Sequence, residues 1–494
     1  MKSTSHRWNV VTPSVYPWEQ EALEYVREQL PDHEPYRAWA NFSLTSDDAS
    51  IREIDLLVLT PQGLFLVELK GHRGSVTGNG GYWSFRFEGR SKSVENPRLL
   101  TDNKAKKLKA RLARTKAFRK AKGVRLPFVE ALVFLSSTDL NTSGLDAMGR
   151  QGVLVRQSED GVSTPIPGLR PLYPWSSRSG PKIGSATART LDRAMREIGV
   201  QRLQDARKVG SYELVEALGE GPGWQDWLAR HGVLKSRRRL RLYHTTSGAR
   251  TETRRTLLRA AKREVLMLQG VEHEGIVRPV DYIDSDLGPA VLFDHPADAE
   301  PLDRWLFSHE SRLDFPQRLQ LFRQLAEVMA YAHGRQLVHR SLHPACVLVL
   351  DPESAEPRLA IMSWQTGSRR AGSQGTTASG LSPTEHPERL VADQSVVYLA
   401  PEVIHGGKEL DGIRADIFSL GAIAYRIFSG EAPASSLTER AQRLLKHPGF
   451  LVSDVVDGVS NTLADLIEES TPSLTRKPGC LSRRCARSVR LDAG

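Results

Sequence analysis

The chain has 494 residues, 39% of them hydrophobic, 26% charged and 7% aromatic, with a net charge of +10 (68 basic against 58 acidic). That length exceeds what one hydrophobic core supports, so two or three domains are expected, and the composition is that of a folded protein rather than a disordered or fibrous one. No apolar run approaches the roughly 20 residues of a bilayer span, and Met1–Val10 carries Lys2, His6 and Arg7 with no apolar stretch behind them. The reading is a cytoplasmic protein with no membrane partner and no secretory leader. The cysteines, Cys346, Cys480 and Cys485, are odd in number and sparse, which fits a reducing compartment and argues against a disulfide framework. Cys480 and Cys485 have no His pair at matching spacing to complete a zinc site.

In chain order, Trp18–Leu30 reads as a helix with Ala22, Leu23, Val26 and Leu30 on one side. Ile54–Thr60 and Leu64–Leu69 are apolar runs joined by Pro61-Gln62-Gly63, the pattern of a β-hairpin. Gly71–Gly81 is turn-rich and Tyr82–Phe87 alternates as a strand. From Lys104 to Arg125 there are 11 basic residues and no acidic one, while Ala105, Leu108 and Leu112 step at helical spacing. This predicts a helix with a cationic circumference, suited to a nucleic-acid phosphate backbone. Leu126–Leu135 reads as a buried strand, Pro174–Gly184 as a loop, and Ala188–Ala206 as a helix bridging to a second domain.

The chemistry of the first half rests on Asp55, inside the first strand of the hairpin, and on Glu68 and Lys70 at the end of the second. Alternation along a strand puts Glu68 and Lys70 on one face. Two carboxylates brought together there can hold Mg²⁺, which prefers oxygen ligands and polarises a phosphodiester, and the lysine can orient water or offset developing charge. Glu21, on the preceding helix, is a candidate third metal ligand. The stretch from Thr12 to Leu135 resembles the NERD (nuclease-related) family, through Glu21, Glu53-Ile54-Asp55, Val67-Glu68-Leu69-Lys70-Gly71, Gly74, Trp83 and Asn96-Pro97. The resemblance implies a PD-(D/E)-x-K nuclease fold. Related nucleases often place a Gln on the following helix, and the nearest equivalent is Asn103.

From Tyr212 the landmarks of a protein kinase arrive in order. A glycine-rich turn, Gly219, Gly221 and Gly223, is placed to bring backbone N–H groups near phosphates, although its spacing departs from G-x-G-x-x-G. Arg239–Tyr243 reads as the next strand, with Arg241 where the kinase lysine stands, and Glu264 as its partner on a helix. Val291–Asp294 reads as the hinge. His339-Arg340-Ser341-Leu342-His343-Pro344-Ala345-Cys346 matches the catalytic loop H-R-D-L-K-P-x-N in register. Ser341 occupies the catalytic Asp position, His343 the Lys and Cys346 the metal-binding Asn, while Ser363 replaces the Asp of D-F-G. Glu402 of the A-P-E element and Asp416, which pins the catalytic loop, are kept. The resemblance is to a bilobal kinase fold with ATP as its implied cofactor. Its losses sit at the positions that do chemistry, the pattern of a pseudokinase.

A NERD segment followed by a kinase-like segment is similar to the PglW family of Pgl/BREX phage-exclusion systems, over about Trp8 to Thr471. That resemblance implies serine/threonine-kinase-like function and partners among other phage-defence proteins. The expected organisation is α/β plus α+β: a nuclease-like domain at 12–135, a connection at 136–211, a degenerate kinase-like domain at 212–475 and a basic tail at 476–494. Two functions compete: a metal-dependent nuclease with a pseudokinase regulator, and an active ATP-dependent kinase whose NERD segment senses nucleic acid.

Overall fold

The computed structural model describes residues 1–14, 16–45, 50–156, 167–169, 183–200, 208–244, 251–285, 287–294, 296, 299–369, 390–405 and 411–473. Most of the loop at Pro174–Gly184, the Gly/Ser/Thr-rich segment before Tyr398, and the tail with Cys480 and Cys485 lie outside them. The chain divides into two compact units, 1–208 and 209–494.

The first unit is built on a six-stranded sheet in the order β1 (Trp8–Val10), β2 (Arg37–Thr45), β3 (Ile51–Leu59), β4 (Leu64–Lys70), β8 (Val129–Leu135), β10 (Val153–Val155). β2, β3 and β4 are antiparallel neighbours, whereas β4, β8 and β10 run parallel. Parallel central strands are covered on both faces, which explains the continuous apolar runs. On one face, Ala22, Leu23 and Val26 of α1 (Pro17–Gln29) share a core with Leu56, Val58, Val67 and Phe134. On the other, Ala105, Leu108 and Leu112 of α2 (Pro97–Ala113) and Leu191 of α4 (Ser185–Glu197) pack with Ile54, Leu57 and Leu66. Ile54 and Leu57 therefore share a face, so the alternation along β3 slips at Asp55.

A second sheet orders β7 (Arg90–Glu95), β6 (Tyr82–Phe87), β5 (Gly74–Gly78) and β9 (Leu140–Leu145), and a short helix α3 (Lys116–Lys120) follows α2. Here the structure departs from two expectations. The turn-rich stretch Gly71–Gly81 contains β5, which its glycines permit: at Gly74 (φ +87°) a Cβ would lie 2.1 Å from the Arg86 carbonyl oxygen. The stretch expected only to connect supplies β9 and β10, because Leu145, Val153 and Leu154 are needed to close the cores, and the helix expected at Ala188–Ala206 is α4, at Ser185–Glu197.

The second unit opens with a six-stranded sheet: beyond an edge strand at Lys208–Val209, five antiparallel neighbours are ordered β11 (Tyr212–Gly221), β12 (Trp224–His231), β13 (Arg237–Tyr243), β15 (Ala290–Asp294), β14 (Pro279–Ile283). Helix α5 (Thr251–Met267) packs Leu257, Ala260 and Ala261 against Tyr243, Val291 and Phe293 of that sheet. A larger, mainly helical core follows, around α6 (Leu302–His309), α7 (Phe315–Gly334) and α8 (Gly412–Ser429). Asp314 and Gln317 close a reciprocal capping box at the start of α7, satisfying two otherwise orphaned backbone donors. Gly219 and Gly221, expected in a turn, lie in β11, and only Gly223 (φ +80°) occupies the turn itself. Among the described residues, no helix is long and apolar enough to cross a membrane.

Candidate functional site

In the first unit, the parity of β4 turns Glu68 and Lys70 toward α2, on the face opposite Val67 and Leu69. Lys70 Nζ lies 2.9 Å from Glu68 Oε1, and Lys104 Nζ, reaching from α2, lies 2.7 Å from Glu68 Oε2. Asp55, at the slip in β3, accepts a hydrogen bond of 2.8 Å from Leu69 N through Oδ2. Burial and then the charge of Glu68 push the Asp55 carboxyl well above the ordinary range. Burial acts the same way on Glu68, but Lys104 and Lys70 outweigh it and hold its carboxyl low. Those two carboxylates in turn raise both lysines, against the effect of burial. The result is two carboxylates and two ammonium groups sharing one partly buried recess.

Lys104 belongs to this group although the sequence marked it only as the first member of a basic run. Asn103, the expected helix contact, is exposed, and its neighbour Lys104 makes the contact instead. Glu21 is not brought into the group. Its side chain is 66% exposed and pairs with Arg156 Nη2 at 2.7 Å, and among the described residues no set of three or more His, Cys, Asp or Glu could hold a metal ion. The helix approaches the site through a different residue. Asn41 (φ 50°), its amide oriented by its neighbours, donates to Asp55 O and to Glu19 Oε1, each at 3.2 Å.

Mg²⁺ commonly takes one or two protein carboxylates and completes its shell with water and substrate phosphate. Asp55 and Glu68 supply two such carboxylates, close enough for the charge of Glu68 to raise Asp55, and a bound ion would take the place of Lys70 or Lys104 at a Glu68 oxygen. Along α2, α3 and the turn between them, Lys106, Arg114, Lys116, Arg119 and Lys120 are exposed.

The second unit keeps the kinase frame and has rebuilt its chemical positions. Asp416 on α8 accepts from His339 N (2.8 Å) and Arg340 N (2.7 Å) and contacts His333 Nε2 at 3.0 Å, which fixes the loop that follows. Arg241 Nη1 reaches Glu264 Oε1 at 3.3 Å, so the strand-to-helix ion pair is formed. Ser341 is 2% exposed, its hydroxyl 2.5 Å from Thr366 Oγ1, which itself donates to His339 O at 2.9 Å. Cys346 donates to His343 O at 2.9 Å, and burial pushes its thiol up to about 12. His343 is held neutral by burial and by the neighbouring His339 and Arg241, at about 3. Ser363 is buried. Hydroxyl and neutral thiol groups replace carboxylate and amide oxygens, so the residues do not fit the magnesium ions of phosphoryl transfer. Ser341, placed at the catalytic Asp position, is engaged in the packing of its own loop.

The profile of the nuclease-related (NERD) domain matches residues 14–136, and that of the protein kinase domain matches 245–472. Probable kinase PglW of Streptomyces coelicolor is 34% identical over 484 residues, 94% of this chain and 30% of the relative. Serine/threonine-protein kinase PknF of Mycobacterium tuberculosis is 24% identical over 290 residues, 57% of this chain and 56% of that one. The chain thus spans under a third of PglW and just over half of PknF. A match to the NERD nuclease-related domain is thus followed along the chain by a match to the protein kinase domain, and the similarity to PglW runs through both.

Proposed function

We propose that the NERD domain binds and cleaves nucleic acid in a metal-dependent way, and that the kinase domain is a pseudokinase that regulates it rather than a transferase. The carrying observation is the convergence of Asp55, Glu68, Lys70 and Lys104. Hydrolysis of a phosphodiester adds water at phosphorus, breaks one P–O bond and leaves a protonated oxygen. Asp55 and Glu68 would hold Mg²⁺, which supplies Lewis acidity toward the phosphoryl oxygen. Lys70 and Lys104 place two positive charges where negative charge develops at phosphorus, and the slip at Asp55 orients its carboxylate for the pair. The exposed cations of α2 and α3 would position the backbone without reading sequence. The likeness to PglW supports a place in phage defence beside other defence proteins.

Magnesium-dependent cleavage of DNA and RNA by the whole chain and by Glu68→Ala tests the reading. A loss of at least about 100-fold is expected, and cleavage that survives the substitution would sink it. The second reading, an ATP-dependent serine/threonine kinase, draws on the intact Arg241–Glu264 pair and on the names of the relatives. It requires transfer of label from ATP into a protein of a partner lysate, and loss of that transfer in Glu264→Ala.

A further inference from the structure

The strand pattern V-A-I-K of a kinase presents a small residue and, two positions on, the lysine, both on one face. The corresponding positions on β13 are Arg239 and Arg241. Neither guanidinium is open to a ligand: Arg239 is 5% and Arg241 1% exposed. Both are held by Asp226, which lies directly across the ladder from Arg241 on β12 and is itself fully buried. Arg239 Nη2 is 2.7 Å from Asp226 Oδ2, Arg241 Nε is 2.7 Å from Oδ1, and Arg241 Nη2 is 2.8 Å from Oδ2. The remaining nitrogen of Arg241 turns to Glu264 and, at 2.9 Å, to Gln365 Oε1.

The indole of Trp224 closes the group from the side of the glycine turn. It lies 4.1 Å from the Arg241 guanidinium and donates to Leu390 O at 3.4 Å. A Cβ on Gly221 would come within 2.4 Å of that ring, so the glycine accommodates an indole rather than a phosphate. Burial opposes ionisation of Asp226, but Arg241 and Arg239 outweigh it and keep the carboxyl charged.

We infer that the kinase domain excludes ATP from its nucleotide cleft, with Asp226 standing against Arg241 in place of a phosphate, Arg239 filling the position kept small in kinases, and Trp224 sealing the glycine turn. A triphosphate entering here meets a buried carboxylate and must break several charge-assisted hydrogen bonds at once, each stronger than a neutral one. This goes further than the pseudokinase reading, since loss of the magnesium-binding residues alone leaves nucleotide binding open. It makes the cleft a filled core and the domain a scaffold whose state does not depend on nucleotide.

Equilibrium dialysis of the whole chain against labelled ATP, with and without Mg²⁺, tests this directly. No saturable binding is expected up to ~1 mM nucleotide. The double variant Asp226→Val/Arg239→Ala, which restores small apolar groups, is expected to gain affinity by at least about tenfold, with circular dichroism confirming its fold. Saturable binding by the natural chain, with azido-ATP crosslinking within β11–β13, would overturn the inference, as would a folded double variant that gains nothing. Should the double variant not fold, the natural chain's binding and crosslinking decide alone.

Discussion

Glu68 lies between Lys70 and Lys104 in the first unit, and Asp226 lies between Arg239 and Arg241 in the second. The charge pattern is the same, a carboxylate held by two cations, yet the surroundings differ. The side chains of Glu68, Lys70 and Lys104 keep 13%, 25% and 17% of their surface in solvent, against 1%, 7% and 1% for Asp226, Arg239 and Arg241. The cations differ too. Lysine offers a compact, well-hydrated ammonium that can be displaced or recruited, while the arginine fork commits several donors in fixed geometry. An open cluster with mobile donors suits a passing phosphate, and a closed one with committed donors suits a core. The kinase domain therefore has the more enclosed ionic centre of the two.

The largest expected effect separates the two clusters by stability. Asp226→Ala leaves two buried guanidinium groups, of which Arg241 keeps Glu264 as its partner, and should destabilise the second unit by about 3–5 kcal/mol. Glu68→Ala, where water reaches the lysines and Asp55 stays beside them, should cost the first about 1 kcal/mol. Denaturant midpoints of the two variants measure both, and equal losses would break the contrast. Acid gives an intermediate effect. His343 takes its proton near 6.5 in the unfolded chain but only at about 3 when folded, so its contribution is whole above 6.5 and is lost as pH falls toward 3. The slope is at most about 1.4 kcal/mol per pH unit. Burial together with Lys70 and Lys92 holds His72, stacked on Phe85, at about 4, so it does the same in the first unit. His343→Gln should flatten the acid loss of the second unit alone, and flattening in both would show the units to be coupled. The smallest effect concerns Glu21→Ala, which removes an exposed ion pair worth about 0–0.5 kcal/mol. It should leave Mn²⁺ binding unchanged in a titration followed by calorimetry; weakened binding would return Glu21 to the metal site.

Strand alternation and motif spacing made Asp55, Glu68 and Lys70 legible, because a period of two assigns faces without tertiary information. The helix contribution was legible in principle. Glu19, Ala22, Leu23 and Val26 follow the i, i+3, i+4, i+7 rule, which puts Glu19 on the inner face and Glu21 off it. Lys104 was hidden among ten other cations, and only its place four residues before buried Leu108 set it apart. The Asp226 cluster was beyond sequence reasoning. Arg239–Tyr243 reads as a strand with Arg241 at the lysine position, and no local pattern marks Asp226 as the partner of either arginine. What buries them is the register between β12 and β13, which depends on residues well separated along the chain.

The parallel pairing of Leu64–Lys70 with Val129–Leu135 bears on the order in which the first unit assembles. A parallel neighbour cannot be reached by a tight turn, so β5, β6, β7 and α2 all lie between β4 and the β8 strand that returns beside it. Loop closure over that distance is slow relative to hairpin formation. During synthesis β4 therefore emerges with one edge unpaired, while Lys104 and β8 are still to come. The charged recess is completed late, after the strands that supply Asp55 and Glu68 have already paired, and a nascent chain ending before Val129 would present an open sheet edge prone to association.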